Sequence, residues 1–475
     1  MHSINPGTMQ EPDTQVDWDE KPAFLDLFVE LTTEILQQDK EEPVTAFFSP
    51  DVARKRLQLA LPQEGQPLAD VAQQLSDVVA LAPTTTSRRF FNQLFGGMQP
   101  APVLAELMTV ICNASMYTYK AAGAQILVEN TVLRGLANLV GWAASEGSFN
   151  PGGSISNLVA LVVARNECLK RNPGKTPWDL VVYTSEESHY SIAKSVNVAG
   201  LRPDHLRKIP VDAAGRLRVE LLRQAVVADL DAGLVPAMMV ATAATTVRGA
   251  FDPIEEMATL AAEHDVWLHV DGAFGASVLV SQKHRGLMRG VELADSLTWD
   301  PHKMLGVPLT SSVLLCRHEG MLTENLSVTA DYLFQQDTDR YNPGTRSLQC
   351  GRRNDALKVW ALWQHLGLSG LEALVDRQLE LASYAADLIR DDPRLTLTEA
   401  PSAATVCFEV TGHDSRAICE QLALEQLALV GHALVRGRRV IRLSCVNSSL
   451  AASDIDAFFD ALAGVQKRQD TAPAA

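Results

Sequence analysis

Four places in this 475-residue chain set reactive side chains where a folded enzyme would use them. Lys303 stands in TWDPHKMLG, after a short apolar run and two residues beyond Pro301, which cannot continue a helix. The amine is therefore displayed at a strand-to-loop junction beside His302. An amine in a partly dry pocket gives up its proton more readily and forms imines with carbonyl compounds. A solvated surface pair has the same local sequence, so this element gains meaning only from its partners. Asp271 closes the apolar run WLHVD and precedes small residues. A carboxylate there needs a cation or a donor, and a pyridinium nitrogen, a helix N-terminus or an ion pair would each serve. His189, in YTSEESHYSIAKS, follows another apolar strand at the predicted start of a helix. An imidazole so placed can stack on an aromatic ring, move protons, or serve structure alone. Lastly, GSFNPGGSISNLVALVVARN puts Gly153 and Ser154 at a predicted helix start, where free N–H groups and a hydroxyl suit an anion.

Elements must bring these residues together. From about residue 88 to 325, helical stretches alternate with short runs rich in β-branched residues: LVVYTS (180–185), AMMVATAATT (237–246), VWLHVDGA (266–273) and SSVLLC (311–316). This pattern predicts an α/β fold with a mostly parallel sheet covered on both faces. The interval from Asp271 to Lys303 accommodates one crossover and one further strand, so both side chains can emerge on one sheet edge. Apolar spacing predicts packing helices over 22–38 and 67–82 and another over 354–367. The polar run from Asp331 to Cys350 predicts a long exposed loop. Beyond it, strands and a final helix capped by Ser453 make a small α+β domain. Residues 1–20 and the tail QDTAPAA read as disordered.

Composition narrows the function. The formal net charge of -16 argues against a nucleic-acid partner, which rewards clustered Lys and Arg. No apolar stretch is long enough to span a membrane, and the polar, acidic start lacks the features of a secretory signal. The seven cysteines form no C-x-x-C pair, so neither a disulfide framework nor a metal site is indicated, and a cytoplasmic protein with reduced thiols is expected.

Taken in order, the segments SRRFFNQLFGG (87–97), FNPGGSISN (149–157), YTSEESHYSIAKS (183–195), ATTVRGAFDPI (244–254), WLHVDGAFG (267–275), TWDPHKMLG (298–306), DYLFQQD (331–337) and LQCGRR (348–353) resemble the group II pyridoxal-phosphate-dependent decarboxylases, nearest to glutamate and cysteine sulfinate decarboxylases. The resemblance implies the type I pyridoxal-phosphate transferase fold, related to aspartate aminotransferase. It has a large domain with a mostly parallel seven-stranded sheet and a small C-terminal α+β domain. The divisions would be an N-terminal helical segment packing a dimer (1–87), the cofactor domain (88–350) and the small domain (351–475). It further implies that Lys303 carries pyridoxal 5'-phosphate, that Asp271 meets its ring nitrogen, and that Ala273 and His189 lie on opposite ring faces. Gly153, Ser154, Thr246 and His302 would complete the cofactor site, and Cys350 and Gly351 would approach the phosphate from the other subunit of a homodimer. Phe91, Gln93 and Arg442 would hold the substrate, and Tyr341 or His189 would return a proton to it. The implied reaction is α-decarboxylation of an acidic L-amino acid (L-aspartate, cysteine sulfinate or L-glutamate) to the amine and carbon dioxide. The alternatives are another amino acid, such as 2,4-diaminobutyrate or an aromatic one, and an aldehyde-forming variant of the reaction. One departure from the glutamate decarboxylase pattern touches the site directly: Asp300 stands where Asn is usual.

Overall fold

The computed structural model describes residues 21–37, 48–328 and 341–471. The segment DYLFQQD of the predicted exposed loop, residues 1–20 and residues 472–475 lie outside the described residues, whereas Gln469, Asp470 and Thr471, read as part of a disordered tail, form the end of the last helix. Contacts divide the chain into two compact units, one up to Thr84 and one from Thr85 onward. In the first, Lys21–Gln37 and Leu68–Ala80 are the two predicted helices, and a short helix, Pro50–Arg56, lies between them in sequence. Ser49 caps the short helix by accepting from the Val52 N–H, which satisfies one of the donors left free at a helix start. Val71, Leu75, Val78 and Val79 of the third helix keep apolar surface exposed.

The second unit is built on twelve strands: β1 (Phe90–Phe91), β2 (Glu146–Asn150), β3 (Leu180–Ser185), β4 (Leu206–Ile209), β5 (Val235–Thr242), β6 (Trp267–Asp271), β7 (Ser296–Trp299), β8 (Ser312–Cys316), β9 (Leu395–Leu397), β10 (Thr405–Val410), β11 (Leu429–Val435) and β12 (Arg438–Ser444). Seven form one sheet in the order β2-β8-β7-β6-β5-β3-β4. Pairs from β7 through β4 are parallel, and β8 is antiparallel to both neighbours. Parallel strands need crossovers, and the crossover helices bury both sheet faces, which is why these strands read as continuous apolar runs. On one face Trp267, Val182 and Leu314 pack against the helix Gly153–Arg171; on the other, Leu268, Val270 and Leu297 join the largest core. Because successive side chains alternate, Trp267, His269 and Asp271 share the face toward Gly153–Arg171.

Five strands form the second sheet, β1-β11-β12-β10-β9, with β1 parallel to β11. Phe90 and Phe91 come from the span that the sequence reading gave to the cofactor domain, but they pair with the C-terminal sheet. Burial explains the assignment: the Phe91 ring lies 5.2 Å from that of Phe458, within the core made by Ile441, Leu443 and Val406. The helix predicted over 354–367 continues to Asp391 after an interruption at Gly367, whose φ of 63° is one that glycine adopts without strain. The last helix starts at Ala452, so Ser453 lies in its first turn instead of capping it. Asp454 takes the capping role by accepting from the Ala451 N–H at 2.8 Å. Part of the predicted exposed loop is buried, since Asn342, Pro343 and Gly344 pack inside, and a Cβ at Gly344 would stand 2.6 Å from the Tyr117 ring. Among the described residues no helix is long and apolar enough to cross a membrane.

Candidate active site

The C-terminal ends of the parallel strands converge, as they do wherever such sheets build a ligand crevice. Chain turns after β2, β3, β5 and β7 deliver Gly153, His189, Thr246 and Lys303 respectively to this edge, and Asp271 is the last residue of β6. The Lys303 Nζ lies 3.3 Å from Asp300 Oδ2, and the Lys303 side chain is 23% exposed whereas that of Asp300 is 2% exposed. His302 is buried and its Nδ1 donates to the Ser311 carbonyl at 2.6 Å, which leaves Nε2 3.7 Å from Asp300. Burial lowers the His302 pKa and the Asp300 charge opposes this. His189 is also lowered, first by burial; Asp271 opposes the shift, Lys303 reinforces it and Asp300 opposes it. The His189 imidazole thus feels all three charges and favours its neutral form.

Asp271 is buried and both its oxygens accept hydrogen bonds, from Asn157 Nδ2 at 2.9 Å and from the Ala273 N–H at 3.2 Å. Asp300 contrasts with it: its buried Oδ1 has no hydrogen-bond partner. That oxygen faces Gly153, where a Cβ would stand 3.1 Å from Oδ1, 2.6 Å from Oδ2 and 3.2 Å from the Ala273 Cβ. Gly153 therefore keeps open a cradle at the N-terminus of a 19-residue helix. Ser154, beside it, is exposed.

Arg442, on β12, is reached through the loop after β5. Its guanidinium donates to the Thr246 carbonyl at 3.1 Å and to the Asn92 carbonyl, and no carboxylate among the described residues pairs with it. Burial lowers its pKa, so its charge lacks compensation. Arg248, in the same loop, pairs with Glu399 and Glu187 and ties the β5 turn to the C-terminal domain and to the His189 turn. Gln93 is exposed next to Asn92. Phe91 is a correction: its ring is 1% exposed in the C-terminal core, so it supports the site by packing and does not face a substrate.

Tyr341 does not join the lysine cluster. Its ring lies 5.9 Å from that of Tyr119, over Met116, Ala122 and Ile126, and it lines a cavity of about 630 Å³ with Asn130, Arg134, Glu146 and Arg346. Cys350 and Gly351 are exposed on a loop pinned by the buried Arg352–Glu129 pair, whose two bonds measure 2.7 and 2.6 Å. Four residues of the site were missed in the sequence reading: Asn92, Asn157, His269 and Ser296. His269 alone carried a readable signal, because W-x-H-x-D alternation puts it on the face of Asp271.

The sequence profile of the pyridoxal-dependent decarboxylase conserved domain matches residues 50–411. This chain belongs to that family. It is 37% identical over 377 residues to the acidic amino acid decarboxylase GADL1 of Bos taurus, covering 78% of this chain and 72% of that one. It is 38% identical over 376 residues to the cysteine sulfinic acid decarboxylase of Mus musculus, covering 77% and 76%. The crystal structure of mouse CSAD superposes with a TM-score of 0.88 at 32% identity, covering 94% of this chain and 99% of that one. The decarboxylase is thus a pyridoxal-phosphate enzyme of the type I fold and a carbon–carbon carboxy-lyase. The residues present fit the cofactor. An amine stands ready for its aldehyde, a doubly bonded carboxylate for its ring nitrogen, and a glycine-lined helix start for its phosphate. Asp300, the anion at that cradle, pairs with the Lys303 amine at 3.3 Å.

Proposed function

We propose that the decarboxylase removes the α-carboxylate of a short acidic L-amino acid, with L-aspartate and cysteine sulfinate ahead of L-glutamate, and that Arg442 binds the side-chain acid group. The observation that carries this reading is the guanidinium of Arg442, half-buried and held only by carbonyl oxygens. A substrate carboxylate or sulfinate would supply the missing charge in bidentate geometry. The names of the two curated relatives point to the same substrate class.

Pyridoxal phosphate, when bound, supplies a protonated ring that takes up the electron pair of the breaking bond between Cα and the carboxylate. Asp271 keeps the ring nitrogen protonated. Lys303 would hold the cofactor through its Nζ, the amine that a substrate amine would replace. Ala273 and His189 would lie on opposite faces of the ring, Gly153, Ser154 and His302 would hold its phosphate, and Thr246 would complete the cofactor site. His189, which shares its surroundings with Asp271 and Lys303, returns the proton to Cα. Tyr341 packs against Tyr119, apart from the Lys303 cluster. Gln93 borders the substrate position through Asn92. The exposed Cys350 and Gly351, together with the apolar face of Leu68–Ala80, support a homodimer in which each subunit completes the other's site. Seven free thiols support a cytoplasmic setting.

The test is carbon dioxide release by the cofactor-loaded enzyme from L-aspartate, cysteine sulfinate, L-glutamate, 2,4-diaminobutyrate and L-DOPA in parallel. Release from the acidic substrates alone is expected. Release only from a basic or aromatic one would overturn the assignment of Arg442, and an aldehyde product would point to the oxidative variant.

A further inference from the structure

Behind Asp271 runs a line of buried polar groups that the reaction as described does not use. Trp267 Nε1 lies 2.8 Å from Ser296 Oγ, and Ser296 Oγ lies 2.8 Å from His269 Nδ1. His269 Nε2 lies 3.0 Å from Asn157 Oδ1, and Asn157 Nδ2 lies 2.9 Å from Asp271 Oδ2 and 3.2 Å from Ser191 Oγ. His269 and Ser296 show no exposure, Asn157 only 2%. Strand alternation puts Trp267, His269 and Asp271 on one face, strand pairing sets His269 opposite Ser296, and the helix Gly153–Arg171 lowers Asn157 onto them.

The direction of every bond follows from the two ends. Trp267 can only donate, so Ser296 must accept from it and is free to give its own proton to His269 Nδ1. Asp271 can only accept, so Asn157 gives it the NH₂ and turns Oδ1 to His269, which must then donate from Nε2 and accept at Nδ1 from the Ser296 hydroxyl. The flipped amide would set a carbonyl oxygen against Asp271. The neutral state of His269 agrees with complete burial, which lowers its pKa to about 4.

We infer that Trp267, Ser296, His269 and Asn157 form a one-way relay of hydrogen bonds that holds Asp271 as an ionised carboxylate and so keeps the cofactor's ring nitrogen protonated. In a dry site, a carboxylate and a ring N–H can revert to a neutral acid and a neutral pyridine by a short proton shift. A donor from Asn157 to the far oxygen stabilises the ionised side of that exchange. These are positioning residues, since none but Asp271 would touch the cofactor. The inference rests on the proposed contact of Asp271 with the ring nitrogen.

The experiment uses holoenzyme loaded with pyridoxal 5'-phosphate carrying nitrogen-15 in the ring, and reads the ring-nitrogen resonance by NMR in wild type, Asn157→Leu, Ser296→Ala and Asp271→Asn. A pyridinium resonance is expected in wild type. Asn157→Leu should move it toward the neutral pyridine position, with kcat reduced about tenfold or more and KM within about twofold, as outer-layer partners of a site typically cost. Ser296→Ala, a mild change in volume that frees the tautomer of His269, should move the resonance the same way by less, and it keeps the inference testable if Asn157→Leu fails to fold. An unmoved pyridinium resonance in both variants, alongside its loss in Asp271→Asn, overturns the relay but leaves the role of Asp271 standing. Absence of pyridinium in wild type overturns both.

Discussion

Two aspartates end neighbouring strands of the same sheet, and the structure treats them in opposite ways. Asp271, at the end of β6, has a donor on each oxygen and a buried network behind it. Asp300, just past β7, shares one oxygen between Lys303 and His302 and leaves the other buried and unpartnered. The difference separates a carboxylate with a donor on each oxygen from one that keeps an oxygen without a donor beside the start of the helix Gly153–Arg171. Burying a polar atom without a partner costs free energy, so Asp300 is the less stable of the two carboxylates in this fold.

The comparison can be broken from either side. The largest effect is expected from Asp271→Asn, which removes the charge opposite the ring nitrogen and should lower kcat about 10²- to 10³-fold, measured by carbon dioxide release. A smaller effect concerns His269, whose pKa is depressed to about 4 in the fold. The unfolded chain binds its proton at higher pH than the fold does, so stability is full at neutral pH and declines as pH falls through 6.5 toward about 4. The loss should reach about 3 kcal/mol in urea unfolding of the wild type, and His269→Gln should flatten that part of the pH dependence. Arg442→Leu should reduce kcat/KM for an acidic substrate about 10- to 100-fold while leaving the cofactor absorbance intact, because only the charged hydrogen bonds to the substrate are lost. The smallest change is expected from Asp300→Asn. Removing an anion beside the phosphate cradle should tighten cofactor binding to the apoenzyme about tenfold, read by titration of cofactor absorbance.

Most of the sheet was legible, because parallel strands buried on both faces write themselves as apolar runs, and the motifs after them mark the edge where ligands bind. Lys303, Asp271 and His189 could be named for the same reason: each follows a strand. Asn157 could not, because its partner His269 lies more than a hundred residues away and the contact depends on how one helix settles on the sheet. Phe91 was misjudged because a two-residue strand offers no periodicity, and only its pairing with β11 shows which way each ring points. Ser453 does not cap because it is the second residue of the helix, and the carboxylate next to it, Asp454, accepts from the Ala451 N–H instead.

The pairing of Phe90–Phe91 with β11 also bears on how the chain is made. These two aromatic residues leave the ribosome early, but their place in the C-terminal sheet does not exist until Leu429 and Val430 have followed. At about 5–20 residues per second, that interval is on the order of tens of seconds. During it the edge strand exists without the sheet it joins, and the nascent cofactor domain carries an unpaired aromatic hook. Synthesis of this decarboxylase should therefore leave β1 unpaired until β11 has been made.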